Sequence, residues 1–224
     1  PQGFRSEDWI KNGRQGAFEV NNFTSPAFVA RVNYHGVKGL RVGASFYYNQ
    51  TAKNGTKPWR NTGYKFPVTI VTGDLQYKGF NNNLIVRGNA VYGNLGASGA
   101  LTTINNSSSA ASGYPNTTVA QNAVSYGGEA GYNIGSFFHS KAPRIYPFIR
   151  YEYYNPMEKT EANTGLLADK RFQVSAVTAG LNYYALPNLV IKADYTHRSI
   201  GGGKYNDENL VSVGIAYIGW FIKK

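Results

Sequence analysis

About nine stretches of this sequence place an apolar residue at every second position, and no long window shows helical spacing. Phe28, Ala30, Val32 and Tyr34 interleave with Val29, Arg31 and Asn33. Leu40, Val42, Ala44, Phe46 and Tyr48 interleave with Arg41, Gly43, Ser45 and Asn49. The pattern returns in 68–77, 84–94, 123–134, 144–154, 171–184 and 189–199, and in the final run Val211, Val213, Ile215, Tyr217, Gly219, Phe221. A strand points successive side chains to opposite faces, so each stretch predicts a strand with one apolar and one small or polar face.

The connections alternate in length. Tight links at Gly36–Gly39, Gly79–Asn83 and Leu186-Pro187-Asn188, and a moderate one at 135–143, alternate with longer ones at 50–65, 95–121, 155–170 and 200–207. Short turns on one rim and long loops on the other predict an antiparallel up-and-down β-barrel. Residues 21–224 form this unit. Residues 1–20 are a separate N-terminal segment in which Gly16–Val20 is a candidate tenth strand, and 1–15, with Arg5 and Trp9, carry no readable pattern.

A soluble β-sandwich also alternates, and it stays open as the competing reading. Three features favour a transmembrane barrel. The stretches run to about 9–12 residues, the length a tilted strand needs to cross a bilayer. Aromatics stand near the ends of the apolar stripes (Tyr34, Tyr48, Tyr77, Tyr92, Tyr132, Tyr153, Tyr183, Tyr195, Phe221), where interfacial girdles belong. The opposite face holds Gly, Ser, Asn, Thr, Arg and Glu, which cannot fill a dry core. Only 16% of residues are charged although 42% are hydrophobic, and no apolar run is long enough for a spanning helix. With no cysteine, disulfide scaffolds, thiolate zinc sites and cysteine nucleophiles are excluded. The sequence starts at Pro1 with no visible signal peptide and has one methionine, Met157, so a processed product or a fragment is expected.

Several segments carry a resemblance. Ser25-Pro26-Ala27-Phe28-Val29-Ala30-Arg31-Val32, Gly39–Tyr47, Tyr146–Pro156 and Leu186–Tyr195 resemble the Bacteroidetes branch of the phosphate-selective porin O and P family. The likeness covers most of 20–221. The closing stripe from Val211 to Phe221 resembles the aromatic-terminated last strand of bacterial outer-membrane barrels, although Ile222, Lys223 and Lys224 follow it. The resemblance implies a barrel of about sixteen strands, often trimeric, in the bacterial outer membrane. At roughly 22 residues per strand and connector, this chain supplies about ten. It is therefore expected to be the C-terminal part of a larger barrel, with N-terminal strands missing or supplied by another chain. A complete barrel of eight to ten strands is the alternative.

The polar stripes assign Arg31, Arg41, Arg87, Arg150, Lys192 and Arg198 to the lumen, with Asp74, Glu129, Glu152 and Asp194 as acidic partners. Cations outnumber anions there, and the net charge is +11. Such a wall lowers the entry barrier for negative charge and predicts a water-filled pore for small hydrophilic solutes, anions preferred. The competing explanation is structural: lumenal Arg and Glu pair across adjacent strands simply to solvate the interior, and Arg150 with Glu152 and Lys192 with Asp194, each pair on one face of one strand, suit such a network. Cations in loops and turns (Lys53, Lys57, Arg60, Lys65, Lys78, Lys141, Lys159, Lys204) are placed to bridge anionic lipopolysaccharide. No basic helix or clustered run supports nucleic-acid binding.

Little points to catalysis. His35, His139 and His197 stand apart, without metal-ligand spacing. His197 with Asp194 or Ser199 is the one hydrolase candidate. Asp207 and Glu208 read as loop carboxylates without a calcium cage, and Gly201-Gly202-Gly203 as a turn rather than a phosphate loop. No cofactor, metal or enzymatic activity is expected. Segment 95–121 has unreadable register, Leu101 and Ile104 standing alone between Gly96 and Gly113; it is either an external loop or a constriction. The leading expectation is a passive outer-membrane porin. The rival is a small closed barrel that acts as an adhesion scaffold through 50–65, 95–121 and 155–170.

Overall fold

The computed structural model describes residues 4–11, 26–51, 65–107, 118–138 and 143–217. Among them nine strands follow one another: β1 (Ala27–Tyr34), β2 (Leu40–Thr51), β3 (Phe66–Gly79), β4 (Leu84–Leu95), β5 (Asn122–Tyr132), β6 (Arg144–Lys159), β7 (Val174–Leu186), β8 (Leu189–Ile200) and β9 (Asp207–Tyr217). They form one sheet in sequence order, each strand antiparallel to the next. The chain is thus all-β and up-and-down. The sheet is not closed on itself: among the described residues β1 and β9 do not pair. The small closed barrel of the alternative reading is therefore not formed among the described residues. The candidate strand Gly16–Val20, most of loop 50–65, His139 and the stripe end Gly219–Phe221 lie outside the described residues.

Register carries the two faces intact across the sheet. Tyr34 pairs with Val42, Val42 with Leu75, Leu75 with Gly88 and Gly88 with Gly128. Gly128 pairs with Tyr151, Tyr151 with Val177, and Tyr195 with Val211. A slip of one residue would turn a whole strand over, so the alternation fixes this pairing. The result is one apolar face, with Val213 77% and Ile215 72% exposed. Tyrosines border it. Tyr34, Tyr77, Tyr132 and Tyr183 lie toward the tight turns, and Tyr48, Tyr92, Tyr126 and Tyr153 toward the long loops. Tyr126 and Tyr153 stack at 4.9 Å.

The tight turns depend on backbone that few residues adopt. Gly39 has φ +81°, and a Cβ there would overlap the Lys78 carbonyl. Phe80, Asn81 and Asn82 all have positive φ in the turn before β4, a conformation that Asn tolerates best.

Three loop boundaries differ from the sequence reading. β6 runs to Lys159, so 155–159 belong to a strand. A register shift between Asn122 and Val124, whose partners on β6 are Lys159 and Asn155, breaks the alternation there and hides the extension. Lys78 and Lys159, read as loop cations, lie within β3 and β6, Lys78 next to last and Lys159 last in its strand. Asp207 and Glu208 open β9 rather than standing in a loop.

Segment 95–121 contains a helix, α1 (Ser98–Ser107). Leu101 anchors it in a buried cluster with Phe4, Trp9, Phe66, Val68, Leu95, Val119, Ala120 and Met157. Tyr47, Ile70 and Ala123 pack beneath, and they share the face of Arg41, Asp74 and Ser125. The helix therefore folds over the polar face at its long-loop end. The N-terminal segment joins it: Trp9 Nε1 donates to the Ala120 carbonyl at 3.0 Å, and Ser6 Oγ donates to that of Thr118 at 2.7 Å. The Trp9 ring occupies the space a side chain at Gly93 would take. From the neighbouring loop, Glu161 accepts from the Gly99 N–H at 2.6 Å, a carboxylate at the positive end of the helix. No helix of the described residues is long and apolar enough to cross a membrane.

Candidate functional site

The polar face collects the charged residues expected there. Arg41, Gln76, Arg87, Glu129, Arg150, Thr178 and Thr196 are consecutive register partners from β2 to β8. They make one transverse belt with three cations and one carboxylate. Glu129 holds two of the cations. Arg87 Nη1 donates to Oε1 at 3.2 Å, and Arg150 donates to Oε2 through Nε at 2.9 Å and Nη2 at 2.5 Å. Sharing one carboxylate between two guanidiniums leaves a local surplus of positive charge.

The adjoining row toward the long loops is the acidic counterpart. It pairs Gly43 with Asp74, Asp74 with Asn89, Gly127 with Glu152 and Arg198 with Glu208. Asp74 again serves two cations, Arg31 at 2.7 Å and Arg41 at 3.8 Å. Arg31 also donates to Asn33 and Ser45, which fixes its guanidinium over Gly43.

The face curves enough for side chains of β4 to β8 to line one hollow of about 430 Å³. Arg87, Glu129, Arg150, Glu152, Lys192 and Asp194 line it together. The Phe148 ring lies over Gly180 within it, and Arg150 stands 5.7 Å above that ring. A second hollow of about 350 Å³ shares Arg87, Glu129 and Arg150 and adds Arg41 and Asp74.

All ten residues named from the sequence thus lie on one face, and their ion pairs run mainly between adjacent strands rather than within the two same-strand pairs. Arg150 is held by Glu129 on the next strand, with Glu152 only at 4.0 Å. Among the described residues Lys192 and Asp194 form no ion pair, although both line the same hollow. Arg198 takes Glu208 at 2.6 Å and the Tyr154 hydroxyl at 2.7 Å. The sequence reading missed Glu208, which lies four residues before Ser212 on the same face, beyond the apolar Leu210 that interrupts the polar stripe. It also missed Arg144 and Lys78, which stand on this face at the tight-turn end; Arg144 lies over the Tyr184 ring at 4.6 Å.

The hydrolase candidate is redrawn. His197 and Ser199 lie on the apolar face, and Asp194 on the polar face, so Asp194 is no partner of either. Instead Asn209 and Asp207 stand opposite them on β9. Asp207 and Glu208, as strand neighbours, point to opposite faces and cannot share a cation. No metal-holding group of His, Asp and Glu occurs among the described residues.

Compared with known proteins, the chain matches no family model and no curated protein.

Proposed function

We propose that the chain is part of an outer-membrane porin whose polar face lines a water-filled, basic-biased path for small hydrophilic solutes, with anions preferred. The observation that carries this is the opposition of two continuous faces. One is apolar, exposed and bordered by tyrosines. The other bears the belt in which Glu129 is shared by Arg87 and Arg150. An apolar face spanning nine strands is a poor surface in water and a good one in lipid. A polar face with this charge content is a poor dry core and a good channel wall.

The edges left open among the described residues support a larger barrel. All eight residues of β1 are exposed, and an unpaired edge offers a row of free donors and acceptors that a bilayer does not tolerate. Closure then requires further strands, as the resemblance to the porin O and P family implies, in a barrel of about sixteen strands that assembles as a trimer. The outer leaflet's lipopolysaccharide is the partner for the rim cations. Folding α1 over the polar face narrows the path at the long-loop end. The adhesion reading is weaker, because it needs a small closed barrel, and among the described residues the sheet is not closed.

Reversal potentials in a salt gradient across a planar bilayer test the proposal. Stepwise conductance with anion selectivity is expected; cation selectivity or the absence of conductance would overturn it.

A further inference from the structure

The apolar face carries one polar cluster that the pore does not use. His197 and Ser199 are two residues apart on β8, and Asn209 is the register partner of His197 on β9. Ser199 Oγ lies 3.3 Å from His197 Nε2, and His197 Nδ1 lies 3.0 Å from Asn209 Oδ1. The Tyr195 hydroxyl also donates to Asn209 Oδ1, at 2.6 Å. A carbonyl oxygen only accepts, so this arrangement puts the imidazole proton on Nδ1 and leaves the Nε2 lone pair facing the serine. Nucleophile, base and orienting acceptor are in the order that acyl transfer requires.

We propose that Ser199, His197 and Asn209 form an esterase site for long-chain acyl esters at the long-loop border of the apolar face. The substrate class rests on the reading of that face as lipid-facing. Val177, register partner of His197, and the exposed Val211 and Val213 continue the surface toward the middle of the sheet, where an acyl chain would lie. The ester carbonyl then sits at the polar border beside Ser199, one residue from the end of β8.

In the resting site Ser199 Oγ donates to Asp207 Oδ1 at 2.8 Å. Rotation about its Cβ–Oγ bond redirects the proton to Nε2. Oγ then forms a bond to the ester carbonyl carbon, and its proton passes to Nε2. The C–O bond to the alcohol breaks, the alcohol leaves with that proton, and an acyl-serine remains. Water, giving a proton to Nε2, cleaves the acyl-serine to the carboxylic acid and restores Ser199 as Nε2 returns the proton. Asp207, 3.9 Å from Nε2, faces the imidazolium while it exists.

The test uses the full chain in detergent micelles, with a long-chain alkyl fluorophosphonate and a long-chain p-nitrophenyl ester as probes. Mass spectrometry is expected to find the phosphonyl adduct on Ser199. Ser199→Ala and His197→Ala each lower ester turnover roughly 100-fold or more, and Asn209→Ala lowers it roughly tenfold. The conductance of Ser199→Ala, read in parallel, stays at the parent value, which separates failure of this site from failure of the pore reading. No adduct on Ser199, or turnover that survives His197→Ala, would overturn the assignment.

Discussion

Arg31 on β1 and Asp74 on β3 are ion-paired at 2.7 Å although β2 runs between them. The residue they cross is Gly43, register partner of both Asn33 and Asp74, and a side chain there would occupy the place of the Arg31 guanidinium. Gly43→Leu should therefore break the pair. Both side chains are partly exposed, so the loss of stability is expected to be at most ~1 kcal/mol. A double-mutant cycle with Asp74→Asn, read from urea unfolding midpoints, checks it: Gly43→Leu should cost less once Asp74 carries no charge.

Neutralising the carboxylate that two cations share has a larger effect on the path. Glu129→Gln releases Arg87 and Arg150 and adds one positive charge to the belt. The anion-to-cation permeability ratio should rise roughly twofold or more, and Arg150→Glu should move it the other way. Reversal potentials in matched salt gradients read both. Unchanged ratios would mean that the belt does not line the ion path.

Leu101 is fully buried and ties α1 to the polar face. Leu101→Ala should destabilise that cluster by about 2–5 kcal/mol, the usual cost of such a truncation. Hydrogen exchange should speed up in Ser98–Ser107 but not in β6 to β8. Single-channel conductance should rise as the helix leaves the path.

Acid should loosen the loop after β6. Asp169 accepts from both the backbone and the side chain of Arg171, and these hydrogen bonds hold its carboxyl below the ordinary value near 3.8. A depressed carboxylate contributes stability that is present above its unfolded pKa and disappears as pH falls through the folded one. Protease cleavage after Lys170 or Arg171 should therefore accelerate below about pH 4 in the native chain. In Asp169→Asn it should be fast at neutral pH and lose that acid dependence. An acid-stable protease at fixed activity reads both.

The backbone of the first turn admits only glycine. At Gly39, φ of +81° and the nearby Lys78 carbonyl both oppose a side chain. Gly39→Val should lower stability by more than the ~1–2 kcal/mol of left-handed strain alone. Refolding yield and unfolding midpoint measure it, with Gly36→Ala as the comparison in a residue of ordinary φ.

Most of the sheet was readable because it rests on a local rule. Residues i and i+2 of a strand share a face whatever the fold around them, so the alternation placed Arg31, Arg87, Glu129 and Lys192 on one side and Val42, Val177 and Val213 on the other. Alternating connection lengths similarly carried the up-and-down order. The tertiary structure decided what depends on the offset between strands, which turns and a bulge set over long sequence distances. That offset brings Glu129 between Arg87 and Arg150, lets Arg31 reach across Gly43 to Asp74, and sets Asn209 against His197. The helix was hidden because its burial depends on partners as distant as Phe4, Trp9 and Met157, with only Leu101 and Ile104 to mark it in the sequence. That β1 and β9 do not pair among the described residues was decided there too. Closure depends on strand number, tilt and stagger taken together, and no single stretch of sequence carries them.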